Sequence, residues 1–529
     1  MLLYTFSIEQ PEQQFIQIKY SFDVQEDTTE VQLPSWRPGR YELSNFAKNI
    51  RNFKVFGSEG GVINFVKTTK DKWEINTKGE KTITVEYQYY ATDLNAGSTY
   101  LDREQLYVNP VNCCLYVVGR EQEACEIQLN IPDSYRIACS LEQNGKKLKA
   151  INFDELADSP WICSSNIQHE TYEEAGVVFH IWFQGVIKVD WNRLLKDFKA
   201  FTSKQIEKFT EFPVPEYHFY FQIVPYRAYH GVEHQRSTAI LLGPSYDVFE
   251  DYYTELLGVS SHELYHTWNV KAIRPIEMYP YDFTKENYSN LGYLCEGVTT
   301  YKGDLFLFKS EVFTEEQYFK ELNKQLQRHF DNFARFNYSV AESSWDTWLD
   351  GYVSGVPSRK VSIYTEGCLL ALITDVFVMR NSKEKYNLDD VMKRLYFNFY
   401  LNDKGVSEED YKNVIEQLAG ASFQEIFDNY IHGSKPFESI LVESLEYLGI
   451  DLHHVPTKKY SAAKLGFKNL VLKGESKVKA IYPGSPAELS GMMLDDEVIA
   501  VNGMAVNNDL DRWLQYFAIP PLADASHLV

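Results

Sequence analysis

The stretch Ser260-Ser261-His262-Glu263-Leu264-Tyr265-His266-Thr267-Trp268 holds two imidazoles four positions apart. On a helix those positions lie about 40° apart around the axis and one turn along it. Both rings can then reach one ion, the geometry Zn²⁺ asks of nitrogen ligands. Glu263 stands beside the first histidine, where it can hold a water at the ion and take its proton. The run from Tyr252 to Val270 has few breakers and Pro275 supplies a stop shortly after it, so a helix is expected.

A zinc hydrolase needs a third protein ligand and an open position for water. Two carboxylates compete. Glu286 has a spacing some zinc peptidases use, but Lys285-Glu286-Asn287 reads as an exposed loop. Glu296 lies between Leu294 and Val298 at the start of a second helix, and a carboxylate in that setting is costly to bury unless paired or metal-bound. Glu296 is favoured. His230 and His234 lack helical ligand spacing and are set aside. Gly231 and Glu233 lie on a strand just before the metal helix, where they could form an edge facing substrate; on its own, Glu233 reads as a surface carboxylate. Tyr364, near Gly367 at a helix start, could turn its phenol toward a cleft; taken alone it is core packing.

The elements that must position these groups follow from patterning. Up to about Gln168 the chain alternates apolar and polar residues, as in Phe15–Tyr20, Thr82–Tyr89 and Cys125–Ile131, and reads as a β-sandwich or saddle. Within it, Leu33-Pro34-Ser35-Trp36-Arg37-Pro38-Gly39-Arg40-Tyr41 reads as a rigid structural turn. Trp191 to Phe212 has helical spacing and Tyr217 to Val224 reads as a buried strand. From Thr314 to about Gly433 the chain is helical. Phe437 to Tyr460 reads as a connection, and short strands with Gly, Pro and Asn502-Gly503 turns indicate a small β domain after it. The expected fold is multidomain α+β, divided as 1–168, 169–312, 313–458 and 459–529.

Composition narrows the functional classes. The 529 residues are 44% hydrophobic and 15% aromatic, as in folded chains. A net charge of −22 disfavours nucleic acid or an anionic membrane as partner. Seven scattered cysteines with no C-x-x-C pair indicate reduced thiols. No signal peptide and no apolar run long enough to span a membrane are visible, so a cytoplasmic protein is expected. Oligomeric state is not readable.

Taken together, His262-Glu-Leu-Tyr-His266-Thr-Trp-Asn-Val-Lys271, Glu296-Gly-Val-Thr-Thr-Tyr301, Gly231-Val-Glu233-His234 and the Leu33–Tyr41 segment resemble the glycyl aminopeptidase family of zinc metallopeptidases. Gly484-Ser-Pro-Ala487, Gly491 and Asp496-Glu-Val-Ile-Ala-Val-Asn502-Gly503 look like that family's C-terminal PDZ module. The resemblance implies a thermolysin-like catalytic domain followed by a helical domain that completes the cleft. It implies His262, His266 and Glu296 as zinc ligands, with Glu263 as general base. Glu233 would anchor the substrate ammonium on a Gly231-bearing strand, with His230 standing where the motif has glycine. Tyr364 would donate to the oxyanion, with Glu366 where lysine is usual. The expected substrates are peptides with a free N-terminal Gly or Ala. The tail departs from the family pattern: Asp495 replaces a glycine, Trp513 to Phe517 comes where further strands are expected, and Ala523 to Val529 carries no strand pattern, so the module reads as incomplete. Two rivals remain: a peptide-binding, chaperone-like protein with a structural zinc, and hydrolysis of a non-peptide substrate by the same machinery.

Overall fold

The structure, a computed structural model, describes residues 2–353, 355–472 and 474–518; Ala523 to Val529 lies outside them. The chain forms two compact units. One comprises Met1–His329, Ser339–Val353 and Ser362–Gly433; the other comprises Phe330–Tyr338, Ser354–Val361 and Ser434–Val529.

The first unit begins as an all-β layer structure. A seven-stranded sheet carries Leu2–Ser7 at its centre, parallel to Cys125–Asn130 and antiparallel to Phe15–Asp23. Two four-stranded sheets accompany it. Strict alternation puts Ile16, Ile18, Tyr20 and Phe22 inside, as period-2 patterning requires.

A further sheet has five strands in the order Gln168–Glu174, Val177–Gln184, Glu216–Ile223, Ser237–Gly243, Ala228–Glu233. The three middle strands run parallel. The helix Trp191–Phe209 crosses over between two of them, capped by the Asp190 side chain, and buries Leu194, Phe198, Phe201 and Ile206. The sheet's other face packs Trp182, Tyr220 and Ala239 on Ala96, Tyr107 and Ile162 of the N-terminal layers. Ala228–Glu233 is the edge strand on the side opposite Gln168–Glu174.

Helices from Tyr253 onward cover the sheet. Tyr253–Tyr265 is shorter than the expected helix, and 266–272 continue as turns. Tyr293–Val298 is a π-helical turn that leads into Thr299–Lys309, a local widening that sequence periodicity does not disclose. Ile363–Ser382, Leu388–Asn398 and Glu408–Ala419 follow as expected.

In the second unit, Phe467–Leu472 pairs with Glu475–Ile481, and Ala500–Val501 with Met504–Ala505 across Asn502-Gly503. Both turn residues have positive φ, the hairpin geometry that Asn-Gly favours. Asp495 has φ +67, so the glycine it replaces is explained by backbone, and aspartate tolerates the same region. Trp513 and its neighbours form the helix Leu510–Phe517, which packs Leu510 and Leu514 on Phe467, Val478 and Val501. Within the stretch read as a connection, Glu438–Tyr447 is a helix that buries Leu441 and Leu445; its short apolar face was too weak a signal against the flanking Gly433 and Gly449.

Among the described residues, no helix is long and apolar enough to cross a membrane.

Candidate active site

The helix Tyr253–Tyr265 brings His262 to the cleft, and His266 caps its C-terminus. Their Nε2 atoms lie 3.0 Å apart. Glu296 Oε2 is 3.6 Å from His262 Nε2 and 3.4 Å from His266 Nε2. Among the described residues Glu286 belongs to no such group; it lies in an irregular stretch.

Several contacts fix this convergence. The His266 Nδ1–H donates to the Asn269 carbonyl at 2.6 Å, which leaves the Nε2 lone pair facing the cleft. Asn269 Nδ2 in turn donates to the carbonyls of Leu294 (2.9 Å) and Cys295 (3.2 Å), holding the π turn that carries Glu296. Ser261 Oγ donates to the Gly303 carbonyl at 2.7 Å, and a Cβ on Gly303 would sit 3.2 Å from the His262 backbone. On the other side Gly297 and Gly367 cross with their backbones in contact: a Cβ on Gly297 would fall 2.3 Å from Gly367 Cα. That crossing sets Tyr364 beside the triad, its ring centroid 6.4 Å from that of His262.

Electrostatics match a divalent-ion site. Burial would raise Glu296, but His266 and then His262 pull it down to about 2. Burial would lower His266, but Glu296 holds it up at about 10. Two imidazole nitrogens and a carboxylate oxygen lie within 4.8 Å of one another, a donor set that could hold a metal ion.

Glu263 is buried and its Oε2 has no hydrogen-bond partner. Burial first, then Glu233 and Glu296, push its carboxyl up, against the pull of His266. Gly231 makes room for it: a Cβ there would lie 2.1 Å from Glu263 Oε1. Two residues along the edge strand, Glu233 is also buried with Oε1 unpartnered, and it groups with Glu263 and His266 within 4.8 Å. His230, on the opposite face of the strand, accepts from the Ala96 N–H at 3.3 Å.

The segment read as a structural turn is part of this site. Trp36 is buried, donates to the Asp282 carbonyl at 2.7 Å and packs edge-on to Trp348. That docking carries Gly39 onto Glu233, where a Cβ would meet Oε2 at 2.5 Å. Arg37 is buried, and Glu233 is the charge that most favours its cationic form. Tyr41 N–H donates to the Tyr352 hydroxyl at 3.4 Å, closing the wall behind. The signal was present in the segment's aromatic and arginine content, but its destination depends on contacts some 250 residues away. Glu366, by contrast, faces away from the triad, where both its oxygens accept from His329 Nδ1 at 2.8 Å. Tyr364 is raised by burial and then by Glu296, so its phenol stays a proton donor.

The cleft, about 470 Å³, is lined by these groups and extends to Tyr229, Thr300, Asp304 and Glu321. A second histidine group, His180, Glu216 and His218, lies on the sheet face opposite the helix Tyr253–Tyr265. Its imidazoles stack parallel at 4.3 Å and so cannot aim two in-plane lone pairs at one ion, and Glu216 is already paired with Arg236 at 2.8 Å.

Residues 3–165 match the Peptidase M61 N-terminal domain, and residues 255–370 match M61 glycyl aminopeptidase. A solved structure from Idiomarina loihiensis, described as an aminopeptidase N family protein, is 26% identical with a TM-score of 0.91, over 97% of this chain and 92% of that one. An M1 zinc metallopeptidase from Deinococcus radiodurans is more distant, at 13% identity and a TM-score of 0.49 over 82% and 94% of the two chains. No curated protein matches. The first of these likenesses carries the fold, and the domain matches carry the chemistry: the protein is a metallopeptidase. More narrowly, it belongs to the M61 glycyl aminopeptidase family.

Proposed function

We propose that the chain is a zinc aminopeptidase that removes an N-terminal glycine or alanine from peptides. The observation that carries this reading is the place of Glu233. It is a buried, partly unpartnered carboxylate within 4.8 Å of Glu263 and His266, with Gly39 packed on its far side. A carboxylate there suits an ammonium group, and the close approach of Gly39 narrows the space beside it, which suits a small N-terminal residue.

His262, His266 and Glu296 are the proposed zinc ligands. Bound there, the ion would polarise the scissile carbonyl and acidify the attacking water. Glu233 holds the substrate ammonium and fixes the register of the peptide. Glu263 takes the proton of the attacking water and delivers it to the leaving nitrogen, a role its raised carboxyl suits and worth about 10²–10⁴-fold. Tyr364 donates a hydrogen bond from its phenol to the carbonyl oxygen as negative charge gathers there, keeping its proton. A purely structural zinc would give the buried, unpaired Glu263 no task.

The division into 1–168, 169–312, 313–458 and 459–529 stands as part of the proposal, with the last segment PDZ-like. So does a reducing, cytoplasmic setting, supported by seven unbridged, buried cysteines.

The test is metal content together with hydrolysis of glycyl- and alanyl-anilides, free and N-acetylated. The reading expects about one zinc per chain, turnover of the free amines only, loss on chelation and recovery with Zn²⁺. Equal cleavage of acetylated substrates would refute it.

A further inference from the structure

Glu296, Thr300 and Asp304 stand four residues apart on consecutive turns, and all three line the cleft. Asp304 therefore lies about 12 Å along the helix from Glu296. The opposite wall is the edge strand, where Glu233, Gly231 and Tyr229 alternate onto the cleft face. Asp304 is the charge that the Tyr229 phenol feels most strongly. The direction from Glu233 to Tyr229 on one wall is thus the direction from Glu296 to Asp304 on the other. With the substrate ammonium at Glu233, the peptide beyond the cut runs toward Asp304.

Asp304 is half-buried and has no hydrogen bond or ion pair among the described residues. Lys324, the cation whose charge acts on Asp304, is engaged by Glu321 at 2.7 Å. Arg227, at the same end of the cleft, is stacked over Tyr252 at 4.7 Å. Burial first, then Glu321, raise the Asp304 carboxyl to about 7, with Lys324 opposing. An acid so placed is costly unless something neutralises it, and Lys324, held by Glu321, offsets that cost only in part.

We propose that Asp304 is a specificity-determining residue on the leaving side of the cleft, where it receives the cationic side chain of a lysine or arginine one or two residues past the cut. An extended peptide advances about 3.3 Å per residue, so long basic side chains at those positions span the remaining distance. Acidic side chains there meet Asp304 and Glu321 and are rejected. The inference rests on the aminopeptidase reading for the direction of the peptide.

The experiment compares kcat/KM for Gly-Lys-Ala, Gly-Glu-Ala, Gly-Ala-Lys and Gly-Ala-Glu with the zinc-loaded enzyme and its Asp304→Asn and Asp304→Lys variants. The expected lysine-over-glutamate ratio is about tenfold in the parent. It collapses toward one in Asp304→Asn and inverts in Asp304→Lys. A ratio near one in the parent, or one unchanged in Asp304→Asn, overturns the proposal. If none of the four is cleaved, the aminopeptidase reading has failed separately. Calorimetric binding of the same peptides then decides: tighter binding of the lysine peptides, lost in Asp304→Asn, supports the charge selection, and equal binding overturns it.

Discussion

Replacing Gly231 by alanine isolates the position of Glu263, the proposed general base, from its chemistry. The added Cβ would lie 2.1 Å from Glu263 Oε1 and 2.9 Å from Val259 Cγ2. A non-bonded carbon and oxygen approach to about 3.3 Å, so the carboxylate must retreat by about 1 Å. Its Oε1 is the free end of a side chain, which makes the movement cheap for folding; with the tighter Val259 contact, the stability loss is about 1–3 kcal/mol. Catalysis is less forgiving, because a 1 Å misplacement of a reacting group costs about 10²-fold. Gly231→Ala should therefore lose about 10²-fold in kcat on glycyl-anilide while keeping its zinc and a cooperative melt. Metal analysis, thermal unfolding and steady-state kinetics on one preparation read all three. A kcat within about threefold of the parent would show that Glu263 need not occupy this position, and the assignment of its role would fall.

Four further outcomes follow. Gly39→Ala forces a Cβ onto Glu233 Oε2 and strains a backbone at φ +78, so KM for free-amine substrates should rise with a smaller change in kcat; unaltered KM would remove the N-terminal segment from the amine site. Tyr364→Phe should lower kcat by about 10²–10³ with zinc retained, and full activity would exclude the phenol. In the metal-free protein His266 is held up at about 10 and keeps its proton through neutral pH. Zinc uptake must expel that proton, so affinity should rise with pH and calorimetry in buffers of different ionisation heat should show about one proton released; none released would refute the pairing with Glu296. Any lysine preference should strengthen as pH rises through about 7, where Asp304 ionises between Glu321 and Lys324 of one helix and Tyr229 of the strand; a preference flat across that range would argue against it.

The parts of the candidate site legible in sequence are those whose geometry is local. His262 and His266 follow from helical spacing, and Glu296 from a carboxylate between apolar neighbours. Gly231 and Glu233 needed the family resemblance, because nothing local tells a cleft edge from an exposed strand. The π turn at Tyr293–Val298 left no periodic trace, although it aims Glu296. Asp304 stood in plain view within Tyr301-Lys-Gly-Asp304, but only the helices packed around it make it half-buried and unpaired. The helix Glu438–Tyr447 was missed because it buries so narrow a face.

The docking of Trp36 to Tyr41 beside Glu233 also has a meaning for biosynthesis. The ribosome releases the segment that walls the amine site long before it makes Glu233, the histidine pair or Glu296. The proposed metal ligands all lie within residues 262–296, but the proposed amine site is complete only when the earlier-made layers close on Asp282 and Trp348. A nascent chain that lacks this closure has no wall at Glu233.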